Sequence, residues 1–246
     1  MPEITAFRPK TTLNVRGMLV DLTTPAVMGI LNATPDSFFA GSRAQAEDTL
    51  LAKAEQMLAE GATFLDVGGY STRPGADEVS EAEETDRVLG AVETILKVFP
   101  KALISVDTFR ASVAEKAVAT GAGLVNDVAG GTLDPAMFQT VARLGVPYVL
   151  MHLRGTPQTM TSLVHYKNVT LDVISELKEK VARLRALGVK DVILDPGFGF
   201  AKTPEHTDQL LRNLPAFRLF GLPLLVGLSR KGSIWRRLGI TPDEAL

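Results

Sequence analysis

The chain has 246 residues, a formal net charge of −2, 46% hydrophobic and 22% charged residues, and no cysteine. That length suits one large soluble domain, and a charge so close to neutral argues against a nucleic-acid or anionic-membrane partner. Without cysteine there are no disulfides, thiolate metal sites or thiol nucleophile, and three histidines (His152, His165, His206) leave little room for imidazole chemistry.

The opening Met1-Pro2-Glu3-Ile4 has neither the basic nor the apolar stretch of a signal peptide. No apolar run reaches the roughly 18 residues of a membrane helix, so a cytoplasmic protein is expected. Residues 13–22 place two short apolar runs around Gly17, which predicts a hairpin suited to covering one end of a barrel. Seven short apolar runs follow, at 27–31, 64–67, 103–106, 124–128, 146–151, 192–194 and 224–228. Most lack polar alternation, as strands covered on both faces do. The segments between them carry helical spacing, clearest at 44–60, 81–98 and 171–187. Gly61, Gly121, Gly145 and Gly188 each follow a helical segment and predict its C-terminal end.

Strand alternating with helix means a parallel sheet with helical crossovers. Seven units without a long linker favour a TIM-type (β/α)8 barrel over an open doubly wound sheet. The first run also exits into Asn32-Ala-Thr-Pro-Asp-Ser-Phe38 rather than a glycine-rich phosphate turn. The whole chain, 1–246, is expected to be one domain. The pattern contains no eighth strand, and Thr241-Pro242 has the signature of a helix start. The natural chain is therefore expected to continue beyond Leu246.

In such a barrel the chemistry lies where strands end. Those ends carry Asn32, the loop from Gly68 to Gly75, Asp107-Thr108, Asn126-Asp127, Met151-His152, Asp195-Pro196-Gly197 and Ser229-Arg230-Lys231. Singly, most have a plain structural reading. Asp107-Thr108 suits a helix cap, Asn126-Asp127 and Asp195-Pro-Gly suit turns, and His152 suits a structural role. Together they ring one rim with carboxylates, amides, cations and small hydroxyls. Carboxylates and amides suit a flat heterocycle rich in N–H donors, and cations with hydroxyls suit phosphate oxygens.

Six segments resemble, in order, the motifs of the dihydropteroate synthase family. They are Gly29-Ile-Leu-Asn-Ala-Thr-Pro-Asp-Ser-Phe38, Asp66-Val-Gly-Gly-Tyr-Ser-Thr-Arg-Pro-Gly75, Ser105-Val-Asp-Thr108, Asn126-Asp127, Asp195-Pro-Gly-Phe-Gly-Phe200 and Ser229-Arg-Lys231. The resemblance implies that a dihydropterin diphosphate is joined to 4-aminobenzoate, releasing pyrophosphate with help from Mg²⁺, in a homodimeric enzyme acting on small molecules. It assigns the pterin to Asp107, Asn126, Asp195 and Lys231, and the diphosphate to Asn32, Thr72 and Arg73. The aminobenzoate falls to Phe38, Pro74, Ser229 and Lys231, and the metal to Asn32. Asp107, Lys231 and Asn32 are then the catalytic residues. The chain departs from the family pattern at Tyr70, at Phe39-Ala-Gly-Ser42 and at Gly232. Two other outcomes are distinguishable: a pterin-binding methyltransferase domain serving a corrinoid, and a pterin-binding pseudoenzyme.

Overall fold

The computed structural model describes residues 10–33, 43–71 and 78–245. The predicted hairpin forms from β1 (Thr12–Val15) and β2 (Met18–Asp21), paired antiparallel with Val15 opposite Met18. Its two-residue turn, Arg16-Gly17, has φ of 52° and 81°, the left-handed pair that matches strand twist in tight hairpins.

Six parallel strands follow in sequence order: β3 (Met28–Asn32), β4 (Phe64–Gly68), β5 (Leu103–Asp107), β6 (Leu124–Asp127), β7 (Tyr148–Met151) and β8 (Val192–Asp195). Helices α1 (Arg43–Ala59), α2 (Glu81–Val98), α3 (Ala111–Thr120), α4 (Met137–Leu144), α5 (Val169–Ala186), α6 (Pro204–Arg212) and α7 (Gly232–Leu238) intervene or follow. The four cap glycines behave as expected, with φ of 102°, 125°, 66° and 84° at Gly61, Gly121, Gly145 and Gly188.

Strand periodicity divides the core in two. Outward residues such as Leu65, Val67, Ile104, Val106, Leu150 and Leu194 pack with Ala54, Val88, Ile95 and Leu177 of the helices. Inward residues Phe64, Leu124, Val149 and Ile193 pack instead on Leu13 and Val15 of the hairpin. Four different strands converging on two hairpin side chains require a curved sheet, and the hairpin covers the concave face near the strands' N-terminal ends. Gly123 makes room for it, since a Cβ there would come 2.6 Å from Cγ1 of Val15. The strands' C-terminal ends are left for a site.

The seventh run, 224–228, is not a strand. It makes one bridge, Leu194 to Leu224, through Leu194 N–H to Pro223 O at 2.9 Å and Leu225 N–H to Leu194 O at 2.8 Å. The next donor on β8's side of that ladder would be residue 196, a proline with no N–H. The expected helix start at Thr241-Pro242 is a turn in which the Glu244 carboxylate accepts from the Thr241 N–H and hydroxyl at 2.8 and 2.9 Å. Among the described residues no helix is long and apolar enough to cross a membrane.

Leu13 is 1% exposed, and the hairpin hangs on it and Val15. Leu13→Ala should lower unfolding free energy by about 3 kcal/mol, the cost of a cavity in a packed core, read as a lowered urea midpoint. A loss under about 1 kcal/mol would show that the hairpin is not part of the core.

Candidate active site

Inward positions climb the concave face in layers. Above the apolar layer lie Asp66 of β4 and Ser105 of β5, paired in register, and above them Gly68, Asp107 and Asn126 form one row across β4, β5 and β6. Met151 of β7 and Asp195 of β8 pair at the same end of the sheet. Three residues expected to meet one guest, Asp107, Asn126 and Asp195, thus stand at the C-terminal ends of three strands on one face. Asn32 ends β3 beside Gly68 and is exposed.

The structural readings of these motifs resolve residue by residue. Asp107 does not cap α3. Thr108 and Asp134 do that work, accepting from Arg110 N–H at 3.1 Å and Ala111 N–H at 2.7 Å. Asn126 and Asp127 part company because neighbours on a strand face opposite ways. Asn126 points inward, and Asp127 holds the following turn by accepting from the N–H groups of Ala129 and Gly131 and from the Tyr148 hydroxyl. Asp195 has both roles: Oδ1 accepts from Gly197 N–H at 2.7 Å while the residue faces the site.

The electrostatics favour a positive or N–H-rich guest. Burial pushes the Asp107 carboxyl well above the ordinary range, and the anions Asp66, Asp127 and Glu84 push it further. Burial also raises Asp195, to about 6, against the opposing pull of the Gly197 N–H, Lys231 and Lys202. Lys231 follows β8's partner segment, its ammonium 4.7 Å from the centre of the Phe200 ring. Burial lowers its pKa, and Asp195 counters this. Lys231 and Phe200 also line a cavity of about 400 Å³ that continues to Met160 and Thr203. Asp107, Asn126 and Asp195 do not line it, so it flanks the polar row rather than filling it.

Two further groups surround the rim. His152 is buried between Glu176, 2.9 Å from Nε2, and Lys202, 3.0 Å from Nδ1. The Lys202 amine donates to Nδ1 and to Phe200 O at 2.9 Å, which places the imidazole proton on Nε2. Burial holds His152 down to about 4 and Lys202 down to about 7. His152 is therefore structural, as expected, but central to its loop. Gly197 packs against it so closely that a Cβ would lie 2.1 Å from His152 O, at φ +71°. The departure at Tyr70 is also accommodated: its ring meets Phe109 edge-on at 5.3 Å, and its hydroxyl accepts from Gln158.

Ser229 is exposed ahead of Lys231, and Arg230 pairs with Asp243 at 3.3 Å. Phe38, Thr72, Arg73 and Pro74, with the 39–42 segment, lie outside the described residues. Sequence reasoning assigned no role to Asp66, Lys202 or Glu176. For Asp66 a signal existed, since Phe64-Leu-Asp-Val-Gly68 puts the aspartate on the inward period of two.

Comparison with known proteins gives the family. A family described as pterin binding enzyme matches residues 28–244. The dihydropteroate synthase of Haemophilus influenzae is 43% identical over 229 residues, 92% of this chain and 82% of that protein. Its Escherichia coli counterpart is 42% identical over 95% of this chain and 83% of its own length. Among solved structures, the Yersinia pestis dihydropteroate synthase bound to a sulfonamide drug superposes with a TM-score of 0.86 at 42% identity, covering 95% of this chain and 85% of its own. The Xanthomonas albilineans enzyme with 4-aminobenzoic acid also gives 0.86, at 38% identity over 96% and 85%. These matches place the chain in the TIM-type barrel class.

The pinned imidazole supplies a test. The His152 ring should stay neutral from pH 8 to pH 5 in NMR titration, carrying its proton on Nε2. Because its folded pKa lies below the unfolded value of about 6.5, the unfolded chain takes up the extra proton, so the group costs stability as pH falls from 6.5 toward 4. A ring that titrates near 6.5 would refute this arrangement.

Proposed function

The chain belongs to the pterin-binding enzymes, in the dihydropteroate synthase family, and from that premise we propose how its own residues carry the transfer. The reaction condenses 6-hydroxymethyl-7,8-dihydropterin diphosphate with 4-aminobenzoate to give 7,8-dihydropteroate and pyrophosphate in folate biosynthesis. The observation that carries the proposal is the acidic inward face, where Asp107, Asn126 and Asp195 stand at the C-terminal ends of β5, β6 and β8 with Lys231 near Asp195.

The pterin offers several N–H donors and ring acceptors in one plane. Asp195 and Asn126 are placed to accept from it, and Lys231 to donate over it. Breaking the bond from the pterin methylene to the diphosphate oxygen leaves positive charge spread into the ring. Asp107 stands among Asp66, Asp127 and Glu84, so its surroundings already disfavour further negative charge and favour a cation. A cation about 4 Å away, at an effective dielectric of about 20, is worth about 4 kcal/mol, or about a thousandfold in rate. That stabilisation grows as charge develops, so it acts on the transition state more than on the bound ground state. The aniline nitrogen, a neutral nucleophile, forms the new carbon–nitrogen bond. Its surplus proton leaves to solvent and the electron pair of the broken bond leaves with pyrophosphate. No strong base is required, which fits a His152 committed to Glu176 and Lys202.

For Mg²⁺, the described residues contain no cluster of three or more His, Cys, Asp or Glu side chains that would cage a cation. An exposed Asn32 amide oxygen at a strand end would suit an ion that keeps most of its waters. Asn32 and the diphosphate oxygens would hold it, and when bound it supplies positive charge to the leaving group. The diphosphate contacts of Thr72 and Arg73, and the aminobenzoate contacts of Phe38, Pro74 and Ser229, are part of the same proposal and rest on the motif resemblance. So do a homodimeric assembly and a cytoplasmic location.

Pyrophosphate release that depends on 4-aminobenzoate tests the reading. Asp107→Asn should lower kcat about a thousandfold while pterin affinity changes less than tenfold; turnover within threefold of the parent would remove Asp107 from the mechanism. Affinity for the pterin should also depend on pH. Asp195, raised to about 6, accepts N–H bonds when ionised, so affinity should rise with pH through about 6 and then level off. Asp195→Asn should abolish that rise, and a flat profile between pH 5 and 7.5 in the parent enzyme would overturn the role.

A further inference from the structure

Asp66 is 4% exposed and lies one layer beneath Asp107, where no substrate role has been assigned to it. Its Oδ2 accepts a hydrogen bond of 2.8 Å from Nδ2 of Asn126, and the pair is buried. That bond spans two strands. Asp66 sits on β4 beside Ser105 of β5, and Asn126 reaches across β5 to meet it. Gly68, the next inward residue on β4, puts no side chain in the row above. Asp66 Oδ1 and Ser105 Oγ, facing one another in register, have no hydrogen-bond partner among the described residues.

An asparagine amide is ambiguous: one end donates, the other accepts, and a half-turn exchanges them. The Asp66 oxygen that accepts from Nδ2 removes the ambiguity, because it would repel the carbonyl end of the amide in the same place. We infer that Asp66 is a positioning residue for the transfer: by holding Nδ2 of Asn126 from below, it turns the Asn126 amide oxygen toward the guest and selects a ring that donates an N–H at that point. The inference rests on the proposed meeting of Asn126 with the pterin and adds the residue that decides which face of the amide is offered. A ring with a lone pair in place of that N–H meets an oxygen and is rejected, which is stronger discrimination than shape alone provides.

Asp66→Asn keeps the size of the side chain but pairs one amide with another, so both orientations of Asn126 become accessible. Calorimetry with 6-hydroxymethylpterin as the probe should show affinity falling about tenfold, as for the loss of a charge-assisted hydrogen bond. The KM for pterin diphosphate should rise in step, with the KM for 4-aminobenzoate unchanged. The decisive comparison is a double-mutant cycle. In an Asn126→Ala background, Asp66→Asn should weaken the pterin less than twofold further, because there is no amide left to orient. A full tenfold loss in that background, or none in the parent, overturns the inference. If Asn126→Ala alone leaves pterin affinity unchanged, the site reading falls and this inference with it.

Should Asp66→Asn fail to fold, the unaltered protein decides by NMR. The Asn126 side-chain amide protons should exchange slowly, and one should resonate downfield. Exchange at the rate of an exposed amide would overturn the proposal.

Discussion

Carboxylates withdrawn from water must find a hydrogen-bond donor or a positive charge, and this site depends on how far that need is left unmet. Asp66, Asp107 and Asp195 occupy inward positions of parallel strands whose outward positions are apolar and packed by helices. The outer core holds the strands in place, and the strands hold the acids where desolvation raises all three. Within reach, Asn126 satisfies one oxygen of Asp66 and Gly197 one of Asp195. What remains is a patch of negative potential waiting for a nitrogen-rich ring, built from side chains that a close-packed sheet cannot easily move.

The rim is shaped by backbone more than by side chains. Between Asp195 and Lys202 the chain turns through Gly197 and Gly199, both left-handed, and then places Ala201 at φ +49°. A non-glycine residue there costs about 1–3 kcal/mol. It is held because Ala201 is buried and its carbonyl accepts from the Tyr166 hydroxyl at 3.0 Å. Arg230, at φ +55°, is held similarly by a 2.7 Å bond from its N–H to Ala245 O. Each strained residue directly precedes a lysine, Lys202 bonded to His152 and Lys231 over the Phe200 ring, so the turns set where these two cations sit.

Much of this was legible in the residues. Hairpin, alternating strands and helices, and the four cap glycines follow from periodicity and from the left-handed preference of glycine, and the structure reproduces them. So does the gathering of Asp107, Asn126 and Asp195, because strand ends share one rim in this fold class. The losses have physical causes. The run at 224–228 is as apolar as its neighbours, but pairing needs a donor opposite, and Pro196 removes it. The turn reading given to Asn126 and Asp127 together holds for Asp127 alone, because strand alternation points Asn126 the other way. Asp66 lay inside a quoted motif without a role, since its importance comes from a bond across two strands that no local pattern records. Lys202 and Glu176 are 26 residues apart in sequence, and only the folded chain joins them through His152.

The broken ladder at Pro196 divides the site mechanically. Asp107, Asn126 and Asp195 ride on strands bonded along their length, whereas the segment leading to Lys231 is tethered to β8 by two backbone hydrogen bonds around Leu194. The carboxylates are held by the ladder bonds of the sheet, whereas Lys231 is held by its own turn and by the face of the Phe200 ring. A substitution in that turn or at that ring therefore relocates the cation and leaves the anions where they are.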